Sequence, residues 1–210
     1  MKHALRFTFA FVVVAWFFPA EIVAHFVLIE PVGWLVENKT GDPQKMAPCG
    51  GTSADLGTPS NVIGKVQGGQ RLHLKVMETV YHPGFYRVAL AVNSRAELPP
   101  DPQPITRNTE KGLRSVSAAI QYPTQAPILA DGLFMHAVKP TEPWEADIEL
   151  PNISCLKCTL QIVEFMAEHG LNKDGDFTYH HCADLQITAD PAKPLDTRWP
   201  LPKADMAVSR

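Results

Sequence analysis

Arg71-Leu72-His73-Leu74-Lys75-Val76-Met77-Glu78 alternates polar with apolar residues at a period of two, the pattern of a half-buried β-strand. Working outward, Gly84 to Val92, Trp144 to Leu150, Thr159 to Met166 and Phe177 to Ile187 read as further strands, and so does the short run Phe26 to Ile29, which Pro31 closes. Val116 to Tyr122 and Leu129 to Val138 are shorter candidates. Nineteen prolines and 13 glycines between such runs point to an all-β fold with long loops. The loops expected are Gly33 to Gly57, Leu98 to Pro104, Asn108 to Gly112 and His169 to Asp176. His73 falls in the outward phase of its strand and reads as a surface residue.

Residues 1-24 have the form of a secretory signal peptide. Lys2 and Arg6 supply positive charge, Phe7 to Phe18 is an apolar run too short to span a bilayer, and Ile22 and Ala24 stand at the positions read by a signal peptidase. An uncleaved membrane anchor is the competing reading, and the shortness of the run counts against it. Cleavage after Ala24 makes His25 the first residue of a secreted or periplasmic chain with no further membrane attachment. Residues 25-189 are then long enough for one domain with a sizeable core, and the Pro-rich, charged stretch 190-210 reads as a disordered tail.

The full chain carries 19 Lys and Arg against 22 Asp and Glu, a formal net charge of -3. The leader takes Lys2, Arg6 and Glu21 with it, leaving 17 against 21, or -4. No basic cluster is visible, which argues against nucleic acid or an anionic membrane as partner.

Cys49, Cys155, Cys158 and Cys182 all lie beyond the leader, and an even count in a secreted chain points to disulfides, with three connectivities open. The Cys155-Leu156-Lys157-Cys158 spacing also occurs in redox dithiols and zinc sites. A redox dithiol needs a helix N-terminus to lower the first thiol's pKa, whereas here a β-rich run follows.

The histidines carry the metal chemistry. An N-terminal His25 offers a free α-amino group and an imidazole Nδ1 that close one chelate ring, a geometry suited to copper. His82 stands before Pro83-Gly84, where a turn presents a side chain at a sheet edge. The roles of His136 and His180 are open, His180 being structural or exposed. Asp174 and Asp176 hint at calcium, but the other positions of a calcium loop are missing.

Three features taken together resemble the lytic polysaccharide monooxygenases, and most closely a bacterial polysaccharide monooxygenase-like group. They are the histidine directly after the leader (His25), the histidine-x-glycine-aromatic turn (His82, Gly84, Phe85) and the last strand with aromatic-x-x-Cys-Ala (Tyr179, Cys182, Ala183). The resemblance implies an immunoglobulin-like or fibronectin-like β-sandwich. It also implies one copper ion in a histidine brace, held by the α-amino nitrogen and Nδ1 of His25 and by Nε2 of His82, with Tyr179 axial. His25, His82 and Tyr179 would be both metal and catalytic residues of a monomer that oxidises a polysaccharide with an external electron donor. By the same analogy Cys49 pairs with Cys182 and Cys155 with Cys158; Cys49 with Cys155 or Cys158 is the alternative.

The chain departs from that pattern at Phe177, where active members of the family usually carry a glutamine or glutamate that steers the oxygen species. Glu164, Gln161 and His181 are the candidate substitutes, and Trp34 and Tyr81 the candidate sugar-facing aromatics. Three readings follow: a copper-dependent polysaccharide monooxygenase, a copper-binding protein of the same fold serving acquisition or homeostasis, and a metal-free carbohydrate-binding or adhesion module.

Overall fold

The computed structural model describes residues 24–171 and 177–200. The leader expectation lies outside the described residues apart from Ala24, and so do Asp174, Asp176 and residues 201–210. The described chain is nearly all strand: β1 (His25–Glu30), β2 (Ile63–Gln67), β3 (Arg71–Val80), β4 (Gly84–Ala91), β5 (Pro104–Thr109), β6 (Gly112–Ala118), β7 (Ile128–His136), β8 (Trp144–Glu149), β9 (Cys155–Met166), β10 (His169–Gly170) and β11 (Thr178–Thr188). A sheet of order β1-β3-β8 packs against a sheet of order β2-β11-β9-β4-β7, and β10-β6-β5 forms a small third sheet.

The alternation decides which way each strand faces. Leu74 and Val76 of β3 and Phe26 and Leu28 of β1 meet Tyr86, Val88 and Leu90 of β4, Leu160 and Ile162 of β9 and Leu185 of β11 in one buried core. Each such side chain contributes roughly 1.5–3 kcal/mol on burial, so a one-residue slip, which would turn the whole set outward, is strongly disfavoured. His73, in the opposite phase, lies exposed beside Asp147 and Glu145.

β4 and most of β9 are buried on both faces. Their second face is covered by loop residues near Pro48 and by the β5–β6 hairpin, where Phe85, Ala118, Phe165 and Phe177 form a separate small cluster. That hairpin replaces the expected 108–112 loop: Asn108 pairs with Leu113 and Thr109 with Gly112, so only the tip is a turn.

The tail also differs from expectation over 190–200. Asn152 donates from Nδ2 to the carbonyls of Asp190, Lys193 and Pro194, and its Oδ1 accepts from the Asp190 amide. Trp199 is buried in the main core. A Pro-rich composition hid one anchoring amide and one anchoring indole.

The cysteines pair as the resemblance implied, Cys49 with Cys182 and Cys155 with Cys158. The first bridge spans 133 residues, a loop whose closure removes about 5 kcal/mol of unfolded-state entropy. It fastens the long 33–57 loop to β11, with Trp34 N donating to Cys182 O at 2.8 Å and Trp34 Nε1 to Cys49 O at 2.7 Å.

The same loop closes the free edge of β1. The Phe26 amide donates to Gln44 Oε1 and the Leu28 amide to Glu37 Oε2. His181 donates from Nε2 to the Phe26 carbonyl at 3.0 Å, and its Nδ1 lies 3.3 Å from Glu37 Oε1. Burial pushes the Glu37 carboxyl up to about 8 against the lowering pull of the Leu28 amide, and pushes His181 down to about 4. A protonated Glu37 donating to a neutral His181 satisfies every atom of this group.

The two shifts act on stability in opposite directions. Glu37 keeps a proton in the fold that the unfolded chain loses near 4.5, so its contribution is full below that pH and is lost as pH rises through about 8. The His181 contribution is present above 6.5 and lost as pH falls through about 4. Between pH 6.5 and 8 Glu37 alone of the pair acts. Urea unfolding should therefore show stability declining across that window, and Glu37→Gln, whose amide donates as the acid does, should flatten the decline. An equal slope in the variant would rule out a protonated Glu37.

Candidate metal centre

Strand pairing brings two of the expected ligands to one end of the sandwich. His25 opens β1 and pairs with Val80 at the end of β3, two residues before His82 in the turn to β4. Tyr179, near the start of β11, lies with its ring centroid 5.2 Å from that of His25. Gly84, two residues after His82, permits the close strand approach there, since a Cβ would meet the Phe165 carbonyl oxygen at 2.2 Å.

Each imidazole is oriented by one nitrogen. His25 Nε2 lies 3.2 Å from Asp42 Oδ1, which fixes the proton on Nε2, while Nδ1 is buried without a hydrogen-bond partner. His82 Nδ1 donates to the Pro83 carbonyl at 3.1 Å, which leaves the lone pair on Nε2. Burial, with the neighbouring charges of His169 and Arg114, holds the His82 pKa below its usual value. The tautomers are thus His25 with Nδ1 available and His82 with Nε2 available, the donor set a copper brace requires. Neutral imidazole nitrogens of this kind suit copper. Ala24, which precedes His25 in the described chain, is fully buried.

Below these residues lies a polar group inside the core. Glu164 sits in the ladder between Tyr179 and Tyr86, fully buried, and burial followed by the adjacent Glu78 carboxyl raises its pKa far above the usual carboxylate range. Glu78 in turn accepts from His136 Nε2 at 3.0 Å, and the same nitrogen lies 3.0 Å from the His82 carbonyl. His136 Nδ1 faces the Phe134 carbonyl at 2.7 Å. With oxygen acceptors at both nitrogens His136 is an imidazolium; burial opposes the charge, but the Glu78 and carbonyl hydrogen bonds win and raise its pKa. The two shifts put the charge on His136 and the proton on Glu164.

Of the candidate substitutes for the oxygen-steering group, only Glu164 faces this end of the interior. Gln161 is three residues away on β9, so it points to the other face, where Nε2 donates to the Pro48 carbonyl. His181 shares the Tyr179 face, but both its nitrogens are used in holding β1. His180 is buried, not exposed, on the outer face. Phe177 is sealed against Phe165 in the small cluster. Trp34 is packed under the Arg95 guanidinium at 3.7 Å and bonded to Cys49, which makes it a packing residue, and Tyr81 lies beside His136.

Sequence reasoning missed Glu78, His136, Asp42 and Lys45, whose ammonium stands 3.8 Å over the Tyr179 ring. His169, 5.4 Å from His82 between ring centroids, was missed as well. Glu78 alone left a signal: it continues the inward phase of Leu72, Leu74 and Val76, where an acid has no place unless paired. Among the described residues no group of three or more His, Cys, Asp or Glu side chains is placed to hold a metal ion. A brace draws only two of its donors from those residue types.

The chain matches no protein-family model, and no curated protein matches it.

The charge assignment is testable in metal-free protein. His136→Ala leaves Glu78 buried and unpaired and should cost about 3–5 kcal/mol in urea unfolding. Glu164→Gln replaces an acid that is already neutral and should stay within about 1 kcal/mol of the parent. A larger loss for Glu164→Gln than for His136→Ala would reverse the assignment.

Proposed function

We propose that this protein is a secreted, copper-dependent monooxygenase-like protein that cleaves a polysaccharide oxidatively, with His25, His82 and Tyr179 around one copper ion. The observation that carries the reading is the buried, unpartnered Nδ1 of His25, on a ring whose other nitrogen Asp42 holds. Buried polar atoms without partners are rare and call for a ligand. Cleavage after Ala24 would free the α-amino nitrogen beside that atom, at a place the fold encloses.

Copper, when bound, supplies the one-electron chemistry with dioxygen or peroxide that removes a hydrogen atom from a strong sugar C–H bond. The chain's own residues do the rest. Asp42 and the Pro83 carbonyl would leave His25 Nδ1 and His82 Nε2 to hold the ion, the His136–Glu78 pair anchors the His82 carbonyl, and the Tyr179 ring stands beside the His25 ring with Lys45 over it. Glu164, held neutral, is a hydrogen-bond donor on the interior side. An external reductant is the implied partner.

A second reading, a copper-binding protein without oxygenase activity, is favoured by Phe177. The position where active relatives carry an oxygen-steering amide or acid is here sealed in an apolar cluster.

The test is to purify the mature protein, verify by intact mass that it starts at His25, and record its Cu(II) EPR spectrum. Nitrogen coupling is expected, and His82→Ala should change the spectrum and weaken binding by more than about 100-fold. A chain retaining Ala24 should lose the amine's contribution, and affinity should fall as pH drops below about 7.7 because the amine must shed its proton. An identical spectrum in His82→Ala would sink the brace. Copper-loaded protein with a reductant and chitin, cellulose or xylan then separates the two readings by the presence or absence of oxidised oligosaccharides.

A further inference from the structure

The β5–β6 hairpin gathers three cations onto one arm of the molecule. Residues 107–114 hold Arg107, Lys111 and Arg114 against one acid, Glu110, in a chain whose formal net charge is -3. Arg107 and Arg114 are directly opposite in the antiparallel pair, so their side chains stand on one face, and like charges in that relation weaken the pairing. The Arg107 and Lys111 side chains are exposed and make no hydrogen bond or ion pair among the described residues. Arg114 donates from Nε and Nη2 to the Glu168 carbonyl at 3.0 and 2.7 Å. That acceptor is neutral, so it orients the guanidinium and leaves its charge uncompensated.

The surface beside these cations is bare and adjoins the candidate metal centre. Gly170 of β10 stands opposite Arg114, and Gly112 opposite Thr109 at the next position of the same face. An added Cβ at either glycine would meet no atom within 4 Å. His169, beside Gly170, carries its ring 5.4 Å from that of His82. Arg114 is near enough for its charge to help hold the His82 pKa down. The open ledge therefore leads from the hairpin towards His82.

We propose that the ledge of Arg107, Lys111 and Arg114 binds an anionic polysaccharide, one whose sugar rings carry carboxylate groups. Guanidinium and ammonium groups only donate, and a guanidinium meets a carboxylate through two parallel N–H···O bonds. A carboxylate between Arg107 and Arg114 turns their mutual repulsion into charge-assisted hydrogen bonds, whereas a neutral glycan leaves both charges as they are. The ledge has no walls, so a small anion would stay in water on most sides. Exposed ion pairs contribute little one at a time, and binding here depends on a repeating anion that meets several cations at once. A polymer of uronate rings has that repeat.

This inference deepens the polysaccharide reading of the site and rests on it, but its test uses no copper. Binding of the metal-free full-length secreted chain to polygalacturonate and to alginate is measured by calorimetry, with neutral xylan, dextran sulfate and poly-L-glutamate alongside. At least one uronate polymer should bind at about 50 mM NaCl, and raising the salt to about 500 mM should weaken it at least tenfold. Arg107→Glu should also weaken it at least tenfold. The same variant should unfold in urea at an unchanged or higher midpoint, because it sets an acid opposite Arg114. Absence of binding to both uronate polymers, equal binding of xylan, or equal affinity in Arg107→Glu overturns the proposal. Tighter binding of dextran sulfate or of poly-L-glutamate than of either uronate polymer overturns it too, in favour of a sulfated ligand or an acidic protein. The Cu(II) EPR test of the brace is independent of each outcome, so the two readings fail separately.

Discussion

The ion pair between Glu78 and His136 has no solvent around it, and the geometry of the His25 end depends on it. The pair joins β3 of one sheet to β7 of the other, and His136 spends its remaining hydrogen-bonding capacity on the carbonyls of Phe134 and His82. A buried pair of this kind adds little net stability over an apolar alternative, but removing one partner strands a charge in the core. The turn carrying His82 is therefore fixed by something the fold cannot give up cheaply. Glu164 accommodates to the pair by staying protonated.

Burial acts at the other titrating groups of this end in the same sense. It holds His82 and His181 neutral and Glu37 protonated, and each neutral form is the one its hydrogen-bond partners require. The Pro83 carbonyl demands a proton on His82 Nδ1, and the Phe26 carbonyl demands one on His181 Nε2. Desolvation and hydrogen bonding thus select the same tautomers. That agreement leaves defined lone pairs at His82 and His25 without any rearrangement of the rings.

Much of this was legible in the chain. Alternation in 71–78 and 144–150 gives strand direction directly, because one face meets the core and the other water. It fails at β5, whose Asn108 and Thr109 carry no apolar phase because their hairpin lies on the surface. It fails differently at Asn152 and Trp199, whose anchoring of residues 190–200 depends on contacts across long sequence separations that no local pattern encodes. His25, His82 and Tyr179 could be picked out by residue type and order. Asp42, Lys45 and His136 could not, since each owes its role to a neighbour supplied by another strand or loop. Gln161 and His181 stand apart from the Tyr179–Glu164 group for two physical reasons: a strand's faces alternate, and His181, on the right face, is already engaged with Phe26 and Glu37.

The Cys49–Cys182 bridge has a meaning beyond its entropy. Both sulfurs are buried, and they enclose every strand from β2 to β10 together with the start of β11. A proteolytic cut at an exposed point within that span, such as the β5–β6 tip, would leave two pieces still covalently joined. The piece bearing His25 and the piece bearing Tyr179 would stay together, still paired along their shared loop contacts. Damage to the surface hairpin need not become separation of the two ends that His25 and Tyr179 occupy.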